Sequence, residues 1–93
     1  MAITDRFGQN TDIDASAEVL ADSTETGHAG ILVKALSTNS ETIFIGQASD
    51  VGITDGFELS AGESITMDPN VPAADIYVIA LSAGNQKACW KVT

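Results

Sequence analysis

The sequence is poor in the residues that most chemistry and most small-domain stapling depend on. It has one cysteine, one histidine, one tryptophan, one tyrosine and two prolines in 93 residues. A single cysteine excludes an internal disulfide. One histidine with one cysteine falls well short of the four ligands that a structural zinc site takes. No metal and no cofactor is therefore expected. Basic residues are scarce as well: four Lys and Arg stand against thirteen Asp and Glu, for a formal net charge of −9. Such a surface repels phosphate backbones and anionic headgroups, so neither nucleic acid nor membrane is expected as a partner. No apolar run approaches the roughly 18 residues of a spanning helix. Arg6 has no apolar stretch behind it, so the start does not read as a secretory signal, and synthesis in a cytoplasm is expected. A domain this small, without disulfide or metal, is often completed by oligomerisation, and a homo-oligomer is favoured by that elimination.

What the sequence does have is β-strand grammar. The plainest stretch is the C-terminal one. Ile76, Tyr77, Val78, Ile79, Ala80 and Leu81 form an apolar run, Ser82-Ala83-Gly84-Asn85 a turn, and residues 86–92 a second strand. Gly and Asn tolerate positive φ, so a hairpin is predicted. The first run is apolar on both faces and suits an interior strand. The second alternates, with Ala88, Trp90 and Val92 on one side and Lys87, Cys89 and Lys91 on the other. Upstream, strands are predicted over residues 30–37, 41–46, 57–59 and 63–67. Thr38-Asn39-Ser40 and Ser60-Ala61-Gly62 are the turns that return them, and 47–51 is a continuation beyond a bulge at Gly46. Residues 15–23 fit a helical stripe or a short strand at Glu18-Val19-Leu20, and the β character of the rest favours the strand. Residues 1–14 are polar and acidic and read as an extended N-terminal arm, frayed or ordered on a partner, with Ile3, Phe7 and Ile13 as apolar anchors. Fourteen extended residues reach roughly 45 Å, enough to cross to a neighbouring subunit. Turn signals about every 8–12 residues predict an all-β fold, a small antiparallel β-sandwich, jelly-roll-like, of seven or eight short strands over residues 15–93.

No constellation of catalytic residues emerges. His28 lies in a glycine-bounded loop with no oriented partner in the pattern and reads as a surface residue. Cys89, between Lys87 and Lys91, sits where a reactive thiol would be sought, but a half-buried structural cysteine is the commoner reading. The run from Asp50 to Gly56 resembles a calcium loop only superficially. Gly52 and Thr54 occupy ligand positions and Ala61 stands where a bidentate Glu belongs, so Asp55 reads as a turn residue. Trp90 is expected to anchor the core with Tyr77, its ring N–H finding one partner. An exposed Trp90 or Tyr77 beside a groove would instead suggest a carbohydrate platform.

Four stretches carry a resemblance: Ile31-Leu32-Val33-Lys34-Ala35; Ile43-Phe44-Ile45-Gly46; Gly56-Phe57-Glu58-Leu59-Ser60-Ala61-Gly62-Glu63-Ser64-Ile65; and Ile76-Tyr77-Val78-Ile79-Ala80 with Lys87-Ala88-Cys89-Trp90. In this order they resemble small all-β virion structural proteins of tailed bacteriophages, over about two thirds of the chain and not including its first thirty residues. The resemblance implies a non-enzymatic capsid decoration or cement protein on the exterior of the virion, multimeric, with a trimer favoured and the major capsid protein as partner. The alternative expectation is a host-surface or glycan-binding module associated with a tip or fibre.

Overall fold

The computed structural model describes residues 6–24, 26, 29–47, 49, 51–67, 71–81 and 85–93. They form an all-β structure of eight strands in two four-stranded antiparallel sheets: β1 (Phe7–Ile13), β2 (Glu18–Val19), β3 (Ile31–Ala35), β4 (Ile43–Gly46), β5 (Phe57–Leu59), β6 (Ser64–Met67), β7 (Tyr77–Ala80) and β8 (Gln86–Val92). One turn of 3-10 helix at Ala73–Asp75 precedes β7. The first sheet runs β1-β8-β3-β6 and the second β2-β7-β4-β5. The pairings are nested: β4 with β5, β3 with β6, β2 with β7 and β1 with β8. The chain is thus one long hairpin with its tip between β4 and β5, rolled up so that β3–β8 and β4–β7 also pair.

Alternation explains which side of each strand is inside. Ile31, Val33 and Ala35 of β3 and Ala88, Trp90 and Val92 of β8 point inward from the first sheet. Ile43 and Ile45 of β4, Leu59 of β5, and Val78 and Ala80 of β7 point inward from the second. All belong to a single buried cluster completed by Ile13, Leu20, Ala73 and Ile76. Burying each Ile, Leu or Val contributes about 1.5–3 kcal/mol, so this inter-sheet layer dominates the favourable side of folding.

Most predicted strands lie within a residue or two of the observed ones, but their pairing differs. The expected C-terminal hairpin does not form: β7 is interior to the second sheet and β8 to the first. Likewise β5 and β6, and β3 and β4, are split between sheets. The reason is the core itself, since the inner rows of β7 and β8 bury one another across two layers. The Ser60–Glu63 turn does reverse the chain, with Glu63 N–H donating to the Ser60 carbonyl (2.9 Å) and Ser60 N–H to Glu63 Oε1 (2.7 Å). It is then tied to the end of β3, where Gly62 N–H donates to the Ala35 carbonyl and Ala35 N–H to that of Glu63, each at 2.9 Å. Turn chemistry specifies that the chain reverses; it does not specify which sheet receives the next strand.

Two further expectations are corrected, and an alternative left open is decided. Residues 7–13, predicted as part of an arm, form β1, an edge strand hydrogen-bonded to β8 with a register shift between Asn10 and Ile13. β4 ends at Gly46, and Gln47, Ser49 and Val51, the described residues of the expected continuation, do not extend it. Of the two options at 15–23 the favoured strand forms: the two residues of β2 pair with β7. Asn10 closes the edge between the sheets, its Nδ2 donating to the carbonyls of Val19 (3.4 Å) and Leu20 (3.2 Å). Of the predicted turn 82–85, only Asn85 is described, and its φ of 56° is the left-handed value anticipated there.

Candidate functional site

The two sheets differ most on their outer faces. On the second sheet, Phe44, Tyr77 and Ile79 point outward. The segment 51–56 folds back over this face, placing Val51 and Phe44 at 8% and 9% exposure. The close approach explains Gly56, where a Cβ would come within 2.8 Å of Phe44 Cβ and 3.0 Å of Val51 Cγ2. Asp55 holds the loop, its Oδ1 accepting from Gly52 N–H at 2.7 Å. It is a turn residue, as expected.

The outer face of the first sheet has no such cover among the described residues. Its register lays Phe7, Lys91, Leu32 and Thr66 side by side in one row. Gln9, Cys89, Lys34 and Ser64 form the next, with Lys87 one step further along β8. All three lysines of the chain therefore point out of one sheet, and no carboxylate occupies these positions. Phe7, at 74% exposure, stands at the edge of the same face. Cys89 is half-buried at its centre. The alternation Lys87-Cys89-Lys91 was legible in sequence; Lys34 joins them only through the β3–β8 register.

The predicted site residues separate. Phe7 is exposed at the edge of the first sheet. Ile13 is not: at 0% exposure it belongs to the core and offers nothing to a partner. Trp90 is 4% exposed and packs beneath β1, where a Cβ on Gly8 would meet the indole at 3.1 Å. That makes it the expected core anchor and removes it as a sugar platform. Its Nε1 has no hydrogen-bond partner among the described residues, against the expectation of one. Tyr77 does not share the core. It is half-buried on the outer face of the second sheet, opposite Gly46 and Val19. There it lines a groove of about 380 Å³ with Gln47, Ser49, Val71 and Asp75. Ile3 and His28 lie outside the described residues.

Sequence reasoning missed two polar residues that join the layers. Gln86 is buried, its Oε1 accepting from the N–H groups of Ser40 (3.0 Å) and Glu41 (3.1 Å) and its Nε2 donating to Ser40 Oγ. Asn39 pairs with the backbone of Lys87 like a strand residue, Nδ2 to the carbonyl and Oδ1 from the N–H, both at 2.8 Å. An Asn-Ser turn and a strand-initial Gln carry no pattern that reveals such pairing. The residues around them line a polar cleft of about 260 Å³ with Thr38, Asn85 and Lys87.

Charge of the other sign concentrates at the β1–β2 turn. Burial there pushes the Glu18 carboxyl above its ordinary value, with the neighbouring charges of Asp14 and Asp12 acting in the same sense and a hydrogen bond from Asn10 opposing them. Among the described residues no group of three His, Cys, Asp or Glu side chains is placed to hold a metal ion.

Family models, curated proteins and solved structures were all compared with this chain, and none matches. The functional reading therefore rests on the chain's own residues and geometry.

Proposed function

We propose that this chain is a non-enzymatic structural protein of a bacteriophage virion, a homo-oligomeric decoration or cement protein that binds the outside of the capsid and stabilises it. The observation carrying this reading is the nested strand order. Eight short strands rolled as one hairpin into two sheets suit a jelly-roll sandwich, a fold recurrent in viral coats. Fold alone does not determine function. The second support is therefore the division of the surface, with one sheet face covered by its own loop and the other, among the described residues, left open with a protruding Phe7. An aromatic at the margin of an uncovered face is a typical interface anchor. The mechanism is additive. An interface of about 1,600 Å², about half of it apolar, offers roughly 20 kcal/mol before association costs, and many copies multiply the surplus. The test is binding to capsid particles that lack the protein. Saturable binding with a higher particle disruption temperature is expected, and a monomer that leaves both unchanged overturns the proposal.

A second reading, a glycan-binding module of a tip or fibre, draws on one observation. Tyr77 lines a groove with Gln47, Ser49 and Asp75, an aromatic ring beside hydrogen-bonding groups. A glycan array read with wild type and Tyr77→Ala decides it: loss of a wild-type signal favours this module, and a blank array removes it.

A further inference from the structure

We infer that the lysine-lined outer face of the first sheet docks against the acidic β1–β2 turn of a second copy of this chain, through an asymmetric, head-to-tail contact. This rests on the homo-oligomeric reading and names the surfaces that make it.

Charge placement points to this contact. Of seventeen formally charged side chains, four are basic, and three of these, Lys34, Lys87 and Lys91, project from one sheet. The strands of that sheet carry one carboxylate, Asp12, which lies at the far end of edge strand β1, beyond the register shift after Asn10. Two such faces brought together would set lysine against lysine, so a symmetric face-to-face dimer is disfavoured. The complementary surface on a second copy is the β1–β2 turn with the strand ends that flank it: Asp12 at the end of β1, Asp14 in the turn and Glu18 at the start of β2. Within the chain the charges of Asp14 and Asp12 add to burial in disfavouring the ionised Glu18 carboxyl, and a partner's lysines would offset them while satisfying their own charge. Phe7 and Leu32, beside Lys91 on the same face, supply the apolar area that charges alone lack. A contact between two different patches propagates, closing into a ring if the rotation allows and otherwise extending as a filament.

Net charge does not prevent this. The molecule measures 32 × 24 × 22 Å. At physiological salt the screening length is about 8 Å, so the overall repulsion between two acidic copies is damped while charges in contact still interact.

Three variants test the inference at fixed physiological salt, each checked for wild-type circular dichroism and melting. Lys34→Glu with Lys91→Glu reverses one patch, and Asp12→Lys with Glu18→Lys reverses the other. Each is expected to weaken self-association by at least about tenfold, read as solution mass against concentration. The second pair is the more telling, since it brings the chain's net charge closer to zero and would strengthen association if overall repulsion governed it. All four substitutions together restore the wild-type net charge and are expected to restore the assembly. An assembly unchanged by either pair overturns the docking surface and leaves the homo-oligomer standing. Wild type that is monomeric at every concentration overturns both. Loss in both pairs without restoration in the combined variant overturns the pairing of these two patches.

Discussion

The two sheets share one core but treat their outer faces in opposite ways. The second sheet is covered from outside by segment 51–56, so Phe44 is buried although it points away from the inter-sheet layer. The first sheet has no such cover among the described residues, with lysines in its central strands and Phe7 at its edge. Residues with the same outward direction thus serve different ends. On the second sheet they contribute to folding; on the first they are free for a partner. An interior strand that is apolar throughout, as β4 is, announces cover on both sides. A strand alternating with lysine, as β8 does, announces an exposed face.

Matched truncations break or sharpen that contrast. Phe44→Ala on the covered face is expected to cost about 3–5 kcal/mol, lowering the melting temperature by more than about 12 °C. Leu32→Ala on the open face is expected to cost less than about 1 kcal/mol. Thermal melts of the two side by side check this, and equal losses would mean that the faces do not differ. Of intermediate size is Asn39→Ala, which leaves the backbone N–H of Lys87 without its partner and its carbonyl with the Leu36 N–H alone (3.2 Å). A loss of about 1–3 kcal/mol by urea titration is expected.

The smallest effect is one of pH. The folded state holds the Glu18 proton more tightly than the unfolded chain does, so this group's contribution is most favourable below its ordinary value of 4.5. It declines as pH rises through the raised folded value. Glu18→Gln is therefore expected to melt slightly higher than wild type at neutral pH, the gap closing as pH falls to the ordinary value. A gap that widens on acidification would contradict the sign.

Much of the fold was legible because its signals are local. β3, β4 and β6 announce themselves by β-branched residues between Gly, Asn or Ser, β5 by Phe57 and Leu59 between turn residues, and β8 with Trp90 by its alternation. Pairing was not legible. Whether β8 joins β7 or crosses to lie between β1 and β3 depends on how two layers bury each other, which no turn encodes. β1 was hidden for a related reason: Gly8, Asn10 and Asp12 have poor strand propensity, and the segment is a strand because β8 offers it an edge and Trp90 needs the space above Gly8. Tyr77 was misplaced by one step of alternation, the step that separates core from surface. The lysine face was half legible, since two of its lysines share a strand and the third arrives by register.

The central claim is that the open face of the first sheet is where a second copy sits. Cys89 is the only cysteine and lies at the middle of that face, so it reports directly on cover. The rate of alkylation by a small thiol reagent, followed by intact mass across a dilution series spanning dissociation, is the decisive measurement. The account predicts that Cys89 in the assembled protein reacts at least about tenfold more slowly than in the dilute monomer, with the change tracking the mass transition. An assembled protein whose Cys89 reacts as fast as the monomer's would contradict it.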